Sequence, residues 1–252
     1  MSSDLSKIPT EGQADYESIF HTRGSAYDNA MHQFPNARDQ EFQQVIDRAR
    51  IRDNCAIIDV PAGGQYLKGH LPESCNYQPH EPCSTFTGSD IASQLLPLPF
   101  SNKSADIAIS LAGVHHIEDK EPLFKDIFRV IKPQGQFILS DVTHDSPVAH
   151  FLDEYVGKHN STGHNGIYLD ENTASEIQQA GWSIQSKEQV NYHWKFDNKE
   201  DMAQFCNTLF DLRNTSIKQT INAIDDYLKI DTLPKDRIGM RWSLMTICAL
   251  KL

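Results

Sequence analysis

The stretch "IIDVPAGGQYL", Ile57 to Leu67, decides how the chain is read. An apolar run without polar alternation ends in Asp59, breaks at Pro61 and turns through Gly63 and Gly64. Strands of that texture belong to parallel sheets, which are covered on both faces. Glycines after such a strand let backbone approach a ligand with no Cβ in the way, and ligands of open α/β sheets bind beyond the carboxyl ends of the strands. Gln65 stands where a nucleotide loop usually has another glycine.

Working outward, two more strands of this kind are predicted at "ADIAISLAGV" (105–114) and "GQFILSDV" (135–142). Between them, "EDKEPLFKDIFRVI" holds Leu123, Ile127, Val130 and Ile131 at helical spacing, with Phe124 and Phe128 widening the stripe. "KPQG" then predicts a tight turn, Pro133 supplying the fixed φ of its first corner. Strand, helix, turn and strand in this order make a βαβ unit. Upstream, "ADYESIFHTRGSAYDNAMHQFP" predicts one or two short helices broken near Gly24 and stopped at Pro35, and "RDQEFQQVIDRARI" a further helix. Downstream come a helix ("SPVAHFLDEYVGK"), a polar loop ("HNSTGHNG"), and a helix capped by Asn172 before "TASEIQQAG". A long strand ("WSIQSKEQVNYHWKF"), two helices and a closing strand ("RWSLMTICALKL") complete the chain. The fold class expected is α/β: a Rossmann-like, doubly wound, mostly parallel sheet with helices on both faces, N-terminal helices and a helical insertion before the last strand.

Composition narrows the partners. With 23 Lys and Arg against 34 Asp and Glu, the formal charge is −11, which argues against nucleic acid, whose backbone demands a concentrated basic surface. No run approaches the roughly 20 apolar residues needed to cross a bilayer, and the first residues lack an apolar signal core, so a cytoplasmic protein without membrane partners is expected. Five cysteines at irregular spacing, with no C-x-x-C, fit reduced thiols. Eleven histidines include the adjacent pair His115-His116 but no H-x-x-x-H. Neighbouring side chains on a strand point to opposite faces, so no metal site is expected. A small molecule or another protein is the partner these features leave, and a small-molecule substrate is the one expected.

Three segments converge where a ligand would sit: the loop after "IIDV", the stretch ending "QPHEP", and the strand exit "SLAGVHH". Glu81 lies 22 residues beyond Asp59, close to the spacing of about 20 at which an acidic residue binds ribose hydroxyls in nucleotide folds. The segment "LPLPFSNKSADIAISLAGVHHIEDKEPLFKDIFRVIKPQGQFILSDV" resembles the second half of the class I S-adenosylmethionine-dependent methyltransferase domain, and most closely its ubiquinone- and menaquinone-biosynthesis branch. The resemblance rests on Leu98-Pro99-Phe100, Ala105-Asp106, His115-His116, Arg129 to Gly135, and Phe137 to Asp141, and covers residues 55–142.

That resemblance implies S-adenosyl-L-methionine as cofactor. Asp59, Pro61, Ala62, Gly63 and Gly64 would form the loop at its methionine end, Glu81 would bind the ribose diol, Asp90 the adenine amino group with Ile91 against the ring, and Leu111 and Ala112 would pack near the sulfonium. Arg23 and Tyr27 would fold over the cofactor as part of an N-terminal lid, ordinary helix packing being the alternative for both. Residues 1–52 would form the lid, 53–145 the cofactor-binding core, and 146–252 the substrate-side half of a single domain, with a helical cap at about 198–230. The stripe Met202, Phe205, Leu209 and Phe210 is either core packing or the wall of an apolar pocket. Two departures stand out: Pro61 and Gln65 replace the first and third glycines of the family loop, and nine residues separate Glu81 from Asp90 where the family has nearer twenty.

Methyl transfer relies on placing a nucleophile in line with an activated methyl group. A hydroxyl or amine acceptor also needs a base, for which histidine suits neutral pH. The catalytic candidates are His115, His116 and His164, with His144 a further one. A cofactor-binding protein of the same fold without catalysis is one alternative. A nicotinamide-dependent oxidoreductase is another, disfavoured because neither G-x-G-x-x-G after the first strand nor Tyr-x-x-x-Lys is present.

Overall fold

A computed structural model describes residues 16–87 and 94–252. Two helices lead, α1 (Tyr16–Gln33) and α2 (Asp39–Ile46). Then follow β1 (Ala56–Asp59), β2 (Asn76–Pro79), the short α3 (Ser84–Thr87), β3 (Ala105–Leu111), α4 (Glu121–Val130) and β4 (Ile131–Asp141). A helical run comprises α5 (Pro147–His150), a π-wound segment Phe151–Val156, and α6 (Gly157–His159). The chain closes with α7 (Thr173–Gln179), β5 (Ser183–Phe196), α8 (Lys199–Leu209), α9 (Ile217–Tyr227), β6 (Ile230–Thr232) and β7 (Ile238–Leu250).

These strands form one seven-stranded sheet in the order β2-β1-β3-β4-β7-β5, with β6 beside β7. The first four strands run parallel, whereas β7 is antiparallel to β4, β5 and β6. Apolar side chains cover both faces. Ile57, Ile107, Ile109 and Ile138 pack with Met31, Phe42 and Val45 on one side. Ile58, Ala108, Phe137 and Leu139 meet Leu123, Phe124 and Ile127 of α4 on the other. Burial on both faces explains the unbroken apolar runs of β1, β3 and β4. Between β2 and β3 the described residues contain only α3 as regular structure, which accounts for the short interval after Glu81. Among the described residues no helix is long and apolar enough to cross a membrane.

Several local expectations are corrected. Helix α1 runs unbroken through Gly24, because a Cβ there would lie 2.8 Å from Thr85 Cγ2; the residue marks close helix packing instead of a break. Helix α2 ends at Ile46, five residues before the end of the stretch read as helical. The "KPQG" turn is absorbed into β4 as a bulge, for Ala105 pairs with Ile131 and Ile107 with Gln136. Helix α7 is not capped by the Asn172 side chain. Asp170 Oδ1 accepts instead from the Asn172 and Thr173 amides, at 2.9 and 3.1 Å. The strand β6 was not foreseen.

One buried ion pair ties the N-terminal helices to the sheet. Arg38 donates to Glu41 through Nε and Nη2, at 3.2 and 2.5 Å, and Glu41 Oε2 also accepts from Trp194 Nε1 of β5 at 2.6 Å. Arg38 is 5 % exposed and Glu41 fully buried. Removing one partner of such a pair strands the other charge, so Glu41→Ala is expected to destabilise the protein by roughly 3–5 kcal/mol in urea unfolding. Glu188→Ala, which breaks the half-exposed 3.0 Å pair with Arg48, should lose less than about 1 kcal/mol.

Candidate functional site

The exits of β1 and β3 bound a cavity of about 510 Å³. From β1 come Asp59, Pro61, Ala62 and Gly63, and from β3 Leu111, Ala112 and Gly113. Tyr27 of α1, Arg38, Phe42 of α2 and Phe86 of α3 close it from above, and Tyr66 and Leu67 line its flank. Most of the loop and strand-exit residues expected to hold a cofactor thus share one wall. Gly64 lies outside the lining, against the Tyr66 ring. Asp90 and Ile91 lie outside the described residues.

The loop is held from behind. Glu81, 5 % exposed, accepts the Gly63 amide at 2.6 Å and the Cys83 amide at 2.8 Å, one on each carboxylate oxygen. Gln65 has φ 62°, the left-handed conformation that glycine adopts most readily, and its side chain is not part of the cavity wall. The turn at position 65 is therefore left-handed although its residue is glutamine. Pro61 is accommodated by Gly113, two residues beyond β3, since a Cβ there would lie 2.6 Å from Pro61 Cγ. Asp59 is 3 % exposed and accepts from Tyr77 Oη at 2.7 Å. Burial pushes its carboxyl up to about 7; Tyr77 opposes the shift and the nearby Glu81 charge adds to it.

A second cavity, of about 550 Å³, adjoins the first and shares Tyr27, Arg38 and Ala112 with it. Ala112 has φ 49°, a strained conformation of the kind found at functional sites. His115, His116 and His164 line this second cavity, as do Leu209 and Phe210 of the apolar stripe. Met202 and Phe205 are fully buried in the core, so the stripe serves both purposes. Arg23 lies here as well, rather than over the first cavity. His144 does not: its side chain is 67 % exposed beside Asp145.

The expectation that the adjacent histidines face opposite ways is also corrected. They sit on a helical turn, Val114–His116, rather than on a strand, and their rings are 4.1 Å apart. The His115 carbonyl accepts the Ile167 amide at 2.8 Å, which docks the loop carrying His164. The ligand atoms of the three imidazoles consequently lie within 4.8 Å of one another, a proximity that chain spacing did not reveal.

Two carboxylates orient the rings. Asp141, fully buried at the end of β4, accepts from His115 Nδ1 at 2.6 Å and from the Val114 and Val142 amides at 2.7 Å each. Burial pushes Asp141 up, but His115 and these amides outweigh it and hold the carboxyl below its usual range. Asp153, on the π-wound segment, accepts from His164 Nδ1 at 3.0 Å and Tyr168 Oη at 2.6 Å. Burial lowers His116 well below the ordinary histidine value, helped by His115, His164 and Arg23. Burial likewise lowers Arg23, to about 10. Asp141, Arg38 and the facing pair Trp194 and Trp242 were missed by sequence reasoning. Asp141 was the findable one, an acid ending an apolar strand as Asp59 ends "IID".

A family model described as "Methyltransferase domain" matches residues 75–139. The fold is shared with an S-adenosylmethionine-dependent methyltransferase from Thermotoga maritima, at 12 % identity and TM-score 0.59 over 94 % of this chain and 100 % of that one. It is also shared with phosphoethanolamine N-methyltransferase 2 of Haemonchus contortus in complex with S-adenosyl-L-methionine, at 14 % identity and TM-score 0.58 over 96 % of this chain and 61 % of that one. The [4+2]-cyclase SpnF has the same fold, at 16 % identity and TM-score 0.56 over 95 % and 97 % of the two chains. No curated protein matches the sequence. The match is to the domain at large and does not single out the quinone-biosynthesis branch. The chain thus carries a segment, residues 75–139, that is similar to a methyltransferase domain, on a fold that it shares with S-adenosylmethionine-dependent methyltransferases.

Proposed function

We propose that the protein binds S-adenosyl-L-methionine in the first cavity and transfers its methyl group to a small molecule seated in the second. The observation that carries this reading is the junction of the two cavities at Tyr27, Arg38 and Ala112, with a carboxylate-oriented histidine on the far side. The first cavity suits the cofactor. A buried carboxyl at its floor, Asp59, is matched to the ammonium of the methionine moiety, and Leu111 and Ala112 offer an apolar surface at the junction, where the methyl group would face the acceptor.

The cofactor supplies an electrophilic methyl group already bonded to a good leaving group. The protein supplies placement, worth up to roughly 7–11 kcal/mol in well-aligned systems, and a base. Asp141 accepts from His115 Nδ1, which fixes the tautomer and leaves Nε2 as the basic nitrogen. With the cofactor held beside Asp59, Leu111 and Ala112, an acceptor oxygen or nitrogen placed in line would give its proton to His115 Nε2, and Asp141 would stabilise the imidazolium formed. S-adenosylmethionine would supply the methyl group and depart as S-adenosylhomocysteine.

Calorimetry with S-adenosylmethionine, S-adenosylhomocysteine and NAD tests the reading. Micromolar binding of both adenosyl ligands and none of NAD is expected; no adenosyl binding would sink it. The Asp59 carboxyl gives the binding a pH signature. A cation binds its ionised form, and with a value of about 7 the ionised fraction rises roughly eightfold from pH 6 to 7.5. Affinity should rise by that factor over the same range, and Asp59→Asn should flatten the profile and weaken binding at least tenfold. A carboxyl raised on folding favours the fold while protonated, and that contribution is lost as pH rises from about 3.8 to 7. Asp59→Asn should therefore stabilise the unliganded protein at pH 8, by roughly 2–4 kcal/mol for a shift of this size.

Gln65→Gly should preserve or tighten cofactor affinity, because the left-handed turn is retained and the strain of a side chain there, about 1–2 kcal/mol, is relieved. A tenfold loss would mean that the glutamine makes a contact of its own. With an acceptor found by mass-spectrometric screening, His115→Gln should lower kcat by 10²–10⁴ while S-adenosylhomocysteine affinity stays within threefold. An unchanged kcat would remove His115 from the mechanism.

A further inference from the structure

The second cavity is lined by hydrogen-bond donors that have nothing to donate to. Arg23 is 5 % exposed, yet its Nε and Nη1 have no hydrogen-bond partner. Trp242 Nε1, buried in the same wall, has none either. The opposite charge that acts on Arg23 is Asp211, whose carboxylate is already engaged by Ser161 Oγ at 2.7 Å and Arg213 Nη2 at 3.0 Å. A buried guanidinium whose donors meet no acceptor, in the field of a carboxylate that is bonded elsewhere, is a costly arrangement for a fold to hold. The contrast with Arg38 in the same cavity is sharp, since that guanidinium is met by Glu41 and by Tyr27 Oη. Beside the orphaned donors lies an apolar wall, where the Trp194 and Trp242 rings pack face to face 4.1 Å apart and Leu209 and Phe210 complete the lining.

We infer that the acceptor bound in this cavity is an organic carboxylate with an apolar body, its carboxylate paired with Arg23 and its body against the apolar wall of Trp242, Leu209 and Phe210. The inference rests on the two-cavity reading given above. A single guanidinium matches a monoanion; a phosphate dianion would call for more donors of full charge than the wall provides. The three imidazoles lie close enough to share a metal ion, but the Arg23 charge acts on both His116 and His164 and opposes a dication between them. Pairing with Arg23 would hold the acid at one end of the cavity and leave a nucleophilic atom elsewhere on the molecule free to face the cofactor.

Matched probes test the charge alone. Naphthalene-2-carboxylate and its neutral counterpart naphthalene-2-methanol are titrated calorimetrically into the full chain, with and without saturating S-adenosylhomocysteine. The carboxylate should bind at least tenfold more tightly than the alcohol. Arg23→Gln should abolish that preference and Arg23→Lys should restore part of it, while S-adenosylhomocysteine binding by each variant reports that it is folded. Equal affinity for the two probes, no carboxylate binding at millimolar concentration, or a preference that survives in Arg23→Gln would overturn the inference. Tight binding of Zn²⁺ or of inorganic phosphate that displaces the carboxylate would do the same. Retained carboxylate preference in a protein that binds no S-adenosylhomocysteine would support the anion site and refute the cofactor reading, so the two fail separately.

Discussion

The guanidinium of Arg38 is the fixed point of the molecule. It reaches Tyr27 on α1, Glu41 on α2 and, through Glu41, the Trp194 indole on β5. It also lies over the Trp194 ring, 5.1 Å from its centroid. One side chain thereby fixes the N-terminal helices against the antiparallel half of the sheet and forms part of the partition between two cavities. The partition works because its charge is answered within the protein. Arg23, one helix away, is similarly buried, but its Nε–H and Nη1–H meet no acceptor, and the charge that acts on it, Asp211, is bonded elsewhere.

Two carboxylates at strand ends show the same division of labour. Asp59 ends β1 and Asp141 ends β4. Both are buried, yet their protonation is driven in opposite directions. Asp141 is surrounded by amides and an imidazole, so its charge is stabilised; Asp59 has one phenol and a neighbouring glutamate, so its charge is disfavoured. The saturated carboxylate is suited to orienting a side chain. The unsaturated one is the carboxyl whose charge a neighbouring cation would stabilise most.

Much of this architecture was legible in the sequence because it depends on local pattern. The runs at 56–59, 105–111 and 136–141 are apolar on both sides of the strand, and α4 shows its buried stripe at Leu123, Phe124, Ile127 and Val130. The loop from Asp59 to Gly63 follows directly from the first of those strands. What escaped depends on distant segments meeting. His164 reaches His115 only because the Ile167 amide bonds back to it, and nothing in the spacing of 115 and 164 encodes that hydrogen bond. Arg23 was placed near the wrong cavity because the direction of a side chain on α1 is set by the path of the whole helix, which continues past Gly24. The glutamine at 65 was legible as a substitution, but its left-handed backbone was not, since that conformation is imposed by the loop's closure and not by the residue.

Pro61 and Gly113 stand on different strands' exits, and the ring of one fills the space that a side chain on the other would need. A proline ring is too stiff to step aside, so any β-carbon at 113 would force the β1 and β3 exits apart at the point where they line the first cavity. The constraint runs one way: a side chain at 113 requires that Pro61 be exchanged as well, whereas Gly113 leaves position 61 free to change, whatever chemistry the pocket between them serves.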